Sequence, residues 1–166
     1  GYAALCRAVS AAHTYRKIVG LNRTQLREHL AGGNLMVLLG AESEVGKAIE
    51  ARNYTAARQL LAQWRKLAGR LLRVEVTTHL SAEGQRYCLG HASKLVRLAG
   101  ELGITPVLSN AVRYAGPDGA VTADILDSAR VLHSLDALDE LQPTGQGWLK
   151  TPQEMHRLAG DIARAT

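Results

Sequence analysis

Pro106-Val107-Leu108-Ser109-Asn110-Ala111-Val112-Arg113-Tyr114-Ala115-Gly116-Pro117 is the stretch that decides how this chain folds. A short apolar run passes into Ser, Asn and a Gly-Pro turn, which predicts a buried strand entering a polar loop. In an α/β barrel the C-terminal edge of the sheet is where catalytic and metal-holding side chains gather. The two positions wanted as ligands there are Ala111 and Arg113. The tract predicts a fold and at once points away from that fold's usual chemistry.

Upstream, Leu71-Leu72-Arg73-Val74-Glu75-Val76 predicts another strand. Ser81 opens a helix striped by Cys88, Ala92, Leu95, Val96, Ala99 and Leu102, which Gly103 stops. Residues 71–109 therefore form a parallel βαβ unit, right-handed by the usual steric preference. Asn34 to Leu39, bounded by glycines, predicts a further buried strand, and Ser43 caps a helix over 44–51. Asn53 or Thr55 starts a longer helix with Ala57, Leu60, Leu61, Trp64 and Ala68 on one face and Gly69 as its stop. Nearer the N-terminus, Leu5, Ala8, Val9 and Ala12 form a helical stripe over 2–13. Arg16 to Arg23 reads as a surface connection, and Thr24 caps a short helix with Leu26 and Leu30 inward. Beyond the opening tract, Thr122 caps a helix with Ile125, Leu126, Ala129 and Leu132 inward and Asp124 in its first turn. Thr151-Pro152-Gln153-Glu154 is a helix start with a cap, a proline and a reciprocal glutamate. The class is α/β with a mostly parallel sheet. Three clear strands are too few to close a barrel of seven or eight.

The chain has 166 residues, the size of one domain or a piece of one. Hydrophobic residues at 46% and charged residues at 21% exclude a disordered polyelectrolyte. Cys6 and Cys88 are too few for a disulfide framework and fit a reducing cytoplasm. No run approaches the roughly 20 apolar residues of a membrane span, and Arg7 and His13 break any signal-peptide pattern. The chain begins with Gly inside a helix-like pattern, as an excised segment would. Its net charge of +5 is unevenly spread. Arg7, Arg16, Lys17, Arg23 and Arg27 stand against Glu28 in residues 1–33. Asp118, Asp124, Asp127, Asp136, Asp139 and Glu140 stand against Arg130 near residues 115–141. The basic N-terminal stretch suits a nucleic-acid face, and equally ordinary solvated helices. Its lack of clustered Tyr or Trp argues against a base-stacking platform.

For chemistry, His79 lies just past the strand 71–77, with Glu75 the other polar candidate nearby. The plain alternative is a loop histidine holding a structural hydrogen bond. Glu42 and Glu44 follow the strand 34–39, where they suit a metal or simply an acidic helix start. His13 and His29 lie near helix ends, and His91, His133 and His156 on helices, as surface or partly buried residues without ligand spacing. Cys6 and Cys88 read as small core hydrophobes. The chain contains no H-x-H pair, C-x-x-C, G-x-S-x-G or phosphate loop, and the glycines Gly32, Gly33 and Gly40 lack dinucleotide-loop spacing.

The ordered set is more specific than any one motif. Gly1-Tyr2-Ala3-Ala4-Leu5-Cys6-Arg7 with Ser10, the strand Asn34 to Gly40 with Ser43-Glu44-Val45-Gly46, and Val74-Glu75-Val76 with His79-Leu80 resemble the PHP domain of the bacterial DNA polymerase III alpha subunit. Val107 to Tyr114 looks like that family's strand ending in T-N-D-x-H-Y. Asp124-Ile125-Leu126 and Gly145-Gln146-Gly147-Trp148-Leu149-Lys150 through Glu154-Met155 resemble its next helix and its "yLks..EM" segment. Leu39 to Gly46 leans toward the error-prone branch. The resemblance spans essentially the whole chain.

It implies an irregular (β/α)7 barrel with a trinuclear metal site at the strand ends, of which this chain is the C-terminal part, a single incomplete segment over 1–166 without the N-terminal metal-motif strands. Zinc or manganese is the cofactor of metal-bearing relatives. Here the cysteine that follows the first glycine in those relatives is Ala41, and the last-loop Asp and His are Ala111 and Arg113. Alanine has no lone pair to give, and arginine stays protonated. The resemblance therefore implies no cofactor and no catalytic residue in this segment, with His79 and Glu75 the residual metal candidates. Arg113 would stand in for the ion as a buried salt bridge. The implied role is structural or partner-binding within a DNA-directed DNA polymerase, in replication or error-prone repair synthesis. The implied partners are the rest of the polymerase chain, a proofreading or accessory replication subunit, and DNA met through the parent; none is a membrane. Two other readings stay open: a diverged metal-dependent phosphoesterase using His79, Glu75 and Glu42, and a basic nucleic-acid-binding module.

Overall fold

A computed structural model of the chain describes residues 1–14, 19–137 and 144–166. Arg16, Lys17, Asp139 and Glu140 lie outside the described residues. The elements run α1 (Tyr2–Thr14), α2 (Arg23–Leu30), β1 (Val37–Leu39), α3 (Glu44–Glu50), α4 (Tyr54–Ala68), β2 (Leu72–Val76), α5 (Leu89–Glu101), β3 (Pro106–Leu108), α6 (Ala120–Val131) and α7 (Pro152–Ala165). The class is mixed helix and sheet, with a small parallel sheet in the order β1-β2-β3. Val37 pairs with Leu72 and Leu39 with Val74, while Val74 also pairs with Pro106 and Val76 with Leu108.

Strand alternation gives the sheet two unlike faces. Along β2, Leu72, Val74 and Val76 are buried, while Arg73 and Glu75 are half-buried on the other side. The first face joins Val45 and Ile49 of α3, Ala57 and Leu61 of α4, Ala92 and Leu95 of α5, and Ile162 of α7 in one core. Burying a leucine such as Leu61 completely contributes about 1.5–3 kcal/mol. On the second face Leu38 and Val107 remain exposed.

Several helices begin where their caps predict. Ser43 accepts from the Gly46 amide, Asn53 from Ala56, and Thr151 from Glu154 in a reciprocal capping box. Other expectations are corrected. Asn22, not Thr24, caps α2, because its extended backbone lets its side chain and that of Gln25 satisfy each other's amides. The first strand covers only 37–39, since Asn34 still turns back to the Gly32 carbonyl. Helix α5 starts at Leu89 with Cys88 as its cap, not at Ser81. Residues 81–88 instead form a loop with left-handed backbone at Gly84 and Tyr87. Helix α6 starts at Ala120, ahead of Thr122, because a tight turn at Pro117–Gly119 leads into it, and Asp124 falls beyond its first turn.

The burial of β3 and α6 is the largest correction. Pro106 and Val107 are exposed because β3 is an edge strand, paired only with β2. Ala123 is the buried residue of α6, whereas Ile125, Leu126, Ala129 and Leu132 face outward. The helix stands on the short turns at its two ends rather than on the core. Cys6 is likewise exposed, on the outer face of α1. His91 is buried, and His133 lies beyond the end of α6.

Candidate functional site

The three strands deliver their C-terminal ends to one edge, where Gly40 to Ser43, Thr77 to Leu80 and Ser109 to Tyr114 meet. Glu75 points away from the core at this edge and accepts a 2.7 Å hydrogen bond from Ser109 Oγ. That hydroxyl lies 3.1 Å from Thr77 Oγ1. A Cβ on Gly40 would come within 2.6 Å of Glu75 Oε2, so the glycine after β1 makes room for this carboxylate. Beside it, Ala41 is buried.

His79 is a clamp between loops. Its Nε2 lies 2.9 Å from the Asn110 carbonyl oxygen, which can only accept, so Nε2 carries the proton. Its ring stacks on Tyr87 with centroids 4.9 Å apart. Its backbone amide donates to the Tyr87 carbonyl, and Thr144 Oγ1 donates to the His79 carbonyl. Burial pushes the imidazole below the ordinary histidine value; the bond to Asn110 opposes this, and Lys150 adds to it. The expectation of a structural loop histidine describes this geometry.

Asn110 carries the clamp onward. Its Nδ2 donates to the Gln146 and Trp148 carbonyls at 2.8 and 2.7 Å. The Arg113 amide donates to the Gly147 carbonyl, the Leu149 amide to the Tyr114 carbonyl, and the Gly147 amide to Tyr114 Oη. Residues 144–149 are thereby laced along 110–114, with Tyr114 and Trp148 bridged in parallel. Lys150 sits over the Trp148 ring at 4.9 Å, and burial pushes its ammonium below the ordinary lysine value.

Glu42, Glu44, Glu50 and Asp127 are committed to cations and donors. Glu42 is exposed, and although partial desolvation raises its pKa, hydrogen bonds from Arg86 and Tyr87, with the Arg86 and Lys47 charges, hold it below the usual carboxylate range. Arg86 reaches Glu42 at 2.5 Å and Glu50 at 3.0 Å, and although burial opposes its charge these two acids raise its pKa. Glu44 accepts from the Trp64 indole at 2.6 Å and lies 3.8 Å from Arg23. Arg113 pairs with Asp127 at 2.8 Å, and that hydrogen bond raises its pKa against a lesser effect of burial. The pair is not the buried bridge expected, for the Arg113 side chain is 43% exposed.

The structure thus brings Glu75, Ser109, Thr77 and His79 to one edge, and leaves Glu42 on the Arg86 network and Arg113 on α6. Among the described residues, no three His, Cys, Asp or Glu side chains group so that they could hold a metal ion. Ser109 and Glu75 form a hydroxyl–carboxylate pair, while the imidazole nitrogen that would complete a nucleophilic relay is spent on Asn110. The network of Arg86, Tyr87 and Glu50 escaped the sequence reading because its partners lie far apart along the chain. The glycine bounding β1 was visible, but not its service to Glu75. The basic N-terminal stretch contributes to a shallow groove of about 260 Å³ lined by Arg23, Arg27 and Lys66 between α2 and α4. No helix among the described residues is long and apolar enough to cross a membrane. Comparison with family models and with curated proteins finds no match to this chain.

Proposed function

We propose that this chain is a segment of a cytoplasmic, alpha-type bacterial DNA polymerase: the later part of a PHP-type (β/α)7 barrel that serves structure and partner contact rather than metal chemistry. The observation that carries the reading is the commitment of the strand-end polar groups to protein. Glu75 holds Ser109, His79 holds Asn110, and Glu42 holds Arg86 and Tyr87. The positions where the resembled family places its cysteine, aspartate and histidine are Ala41, Ala111 and Arg113. A carboxylate or imidazole tied into a scaffold in this way must break those bonds before it can ligate a metal.

The exposure of Leu38 and Val107 on the second face of the sheet supports the same reading, since a parallel sheet ordinarily has both faces covered. Nucleotidyl transfer would then belong to carboxylates elsewhere in the parent. The gene flanking this segment provides the test. An upstream strand with an H-x-H pair and a downstream acidic polymerase core are expected; flanks coding for an unrelated protein would refute the assignment.

The groove of Arg23, Arg27 and Lys66 favours a second reading, direct nucleic-acid binding. Duplex DNA titrated into the protein at increasing salt separates the two. Little binding is expected at physiological salt, and tight binding with a steep salt slope would favour the second reading.

A further inference from the structure

Two helices leave apolar faces that nothing in the described chain covers, and they sit in regions of opposite charge. On α1, Tyr2, Leu5 and Val9 recur at helical spacing, with Leu5 50% and Val9 51% exposed. On α6, Val121 and Ile125 form the matching stripe, 66% and 51% exposed, and Leu132 just past the helix end extends the apolar surface. Neither stripe contains an acid or a lysine or arginine, so each could be desolvated without stranding a charge. Helix α1 has no acidic residue and carries Arg7 and His13, and α2 beside it adds Arg23 and Arg27 against Glu28. Asp118 and Asp136 bracket α6, and Asp124 and Asp127 lie within it, against Arg130 and the Arg113 that pairs with Asp127, so the acids remain in excess. At 13 and 12 residues the two helices are nearly equal in length, each roughly 20 Å at 1.5 Å per residue.

We propose that the occupant of each face is the other face on a second copy of this chain: α1 of one molecule docks on α6 of the next. The apolar stripes supply the contact, and the opposite regional charges set its orientation and speed encounter. Each copy offers α1 to one neighbour and α6 to another, so the proposed contact is heterologous: copies add head to tail into chains or a ring, and a wild type that stops at a symmetric dimer would overturn it.

Sedimentation velocity of the full 166-residue chain over a concentration series tests this, with Leu5→Glu on α1 and Ile125→Arg on α6. Both positions are half exposed, and matched melting curves establish that the variants fold; Val9→Glu and Val121→Arg replace either one that does not. The wild type is expected to grow in mass with concentration beyond a dimer, and each variant alone to stay monomeric. An equimolar mixture of the two variants is expected to form a one-to-one dimer and nothing larger, since each supplies the face the other lacks. A wild type that stays monomeric, variants that still associate alone, or a mixture that stays monomeric would each overturn the proposal.

Discussion

His79 shows how a residue placed for chemistry is taken up by structure. Its Nε2 holds the Asn110 carbonyl while its ring covers Tyr87. Burial lowers its pKa in the fold below the ordinary value of about 6.5 it regains on unfolding. The unfolded chain therefore takes up the proton first as pH falls, and stability drops across the window from about 6.5 down to the folded value. Melting temperatures between neutral and mildly acidic pH should fall more steeply for the wild type than for His79→Gln; parallel curves would contradict the buried neutral imidazole. Asn110→Ala removes the donor shared by the Gln146 and Trp148 carbonyls, leaving the first with Lys150 Nζ alone. A loss of about 2 kcal/mol in denaturant unfolding is expected, the usual consequence of leaving buried acceptors unmade. Arg86 and Arg113 supply a comparison. Arg86 is 21% exposed and bridges two acids, whereas Arg113 is 43% exposed and holds one. Arg86→Ala should lower the melting temperature clearly more than Arg113→Ala, since exposed pairs add little; the reverse order would restore Arg113 as the electrostatic stand-in for an ion.

Glycines decide how the elements approach each other. A Cβ on Gly46 of α3 would come within 2.3 Å of the Ala41 carbonyl oxygen, while one on Gly100 of α5 would meet nothing within 4 Å. Gly46→Ala should cost about 3 kcal/mol through backbone displacement, and Gly100→Ala should stabilise by about 0.5 kcal/mol, both read from denaturant midpoints. Elements specified by near neighbours were legible in the sequence: α4 from Asn53 to Gly69 and α7 from its capping box follow from local spacing alone. The start of α5 was not, because the loop before it depends on left-handed backbone at Tyr87, a residue type that announces no such bend. His91 read as a surface or partly buried histidine, and it is buried against the Gly46 carbonyl, a contact 45 residues away in sequence. The stripe of α6 was correctly apolar but its direction was misjudged, since periodicity fixes a face and only packing decides what that face meets. The candidate site was half legible: His79 and Glu75 do reach one edge, while Ser109, Thr77 and the Arg86 network emerge only from the fold.

At the scale of the molecule, a small parallel sheet is packed on one face, with β1 and β3 as its edges and, among the described residues, Leu38 and Val107 exposed on the other face. The proposed scaffold role would use those surfaces for protein contact. At its strand ends Glu75 accepts from Ser109, His79 donates to the Asn110 carbonyl and Glu42 accepts from Arg86 and Tyr87, while Asn110 Oδ1 is buried with no partner among the described residues. The most direct measurement is the metal content of the chain after incubation with excess zinc or manganese and exhaustive dialysis, alone and extended to the full domain. The account predicts well under one ion per molecule, unchanged in His79→Ala and Glu75→Ala. One or more ions per molecule, lost on either substitution and accompanied by phosphoesterase activity, would contradict it.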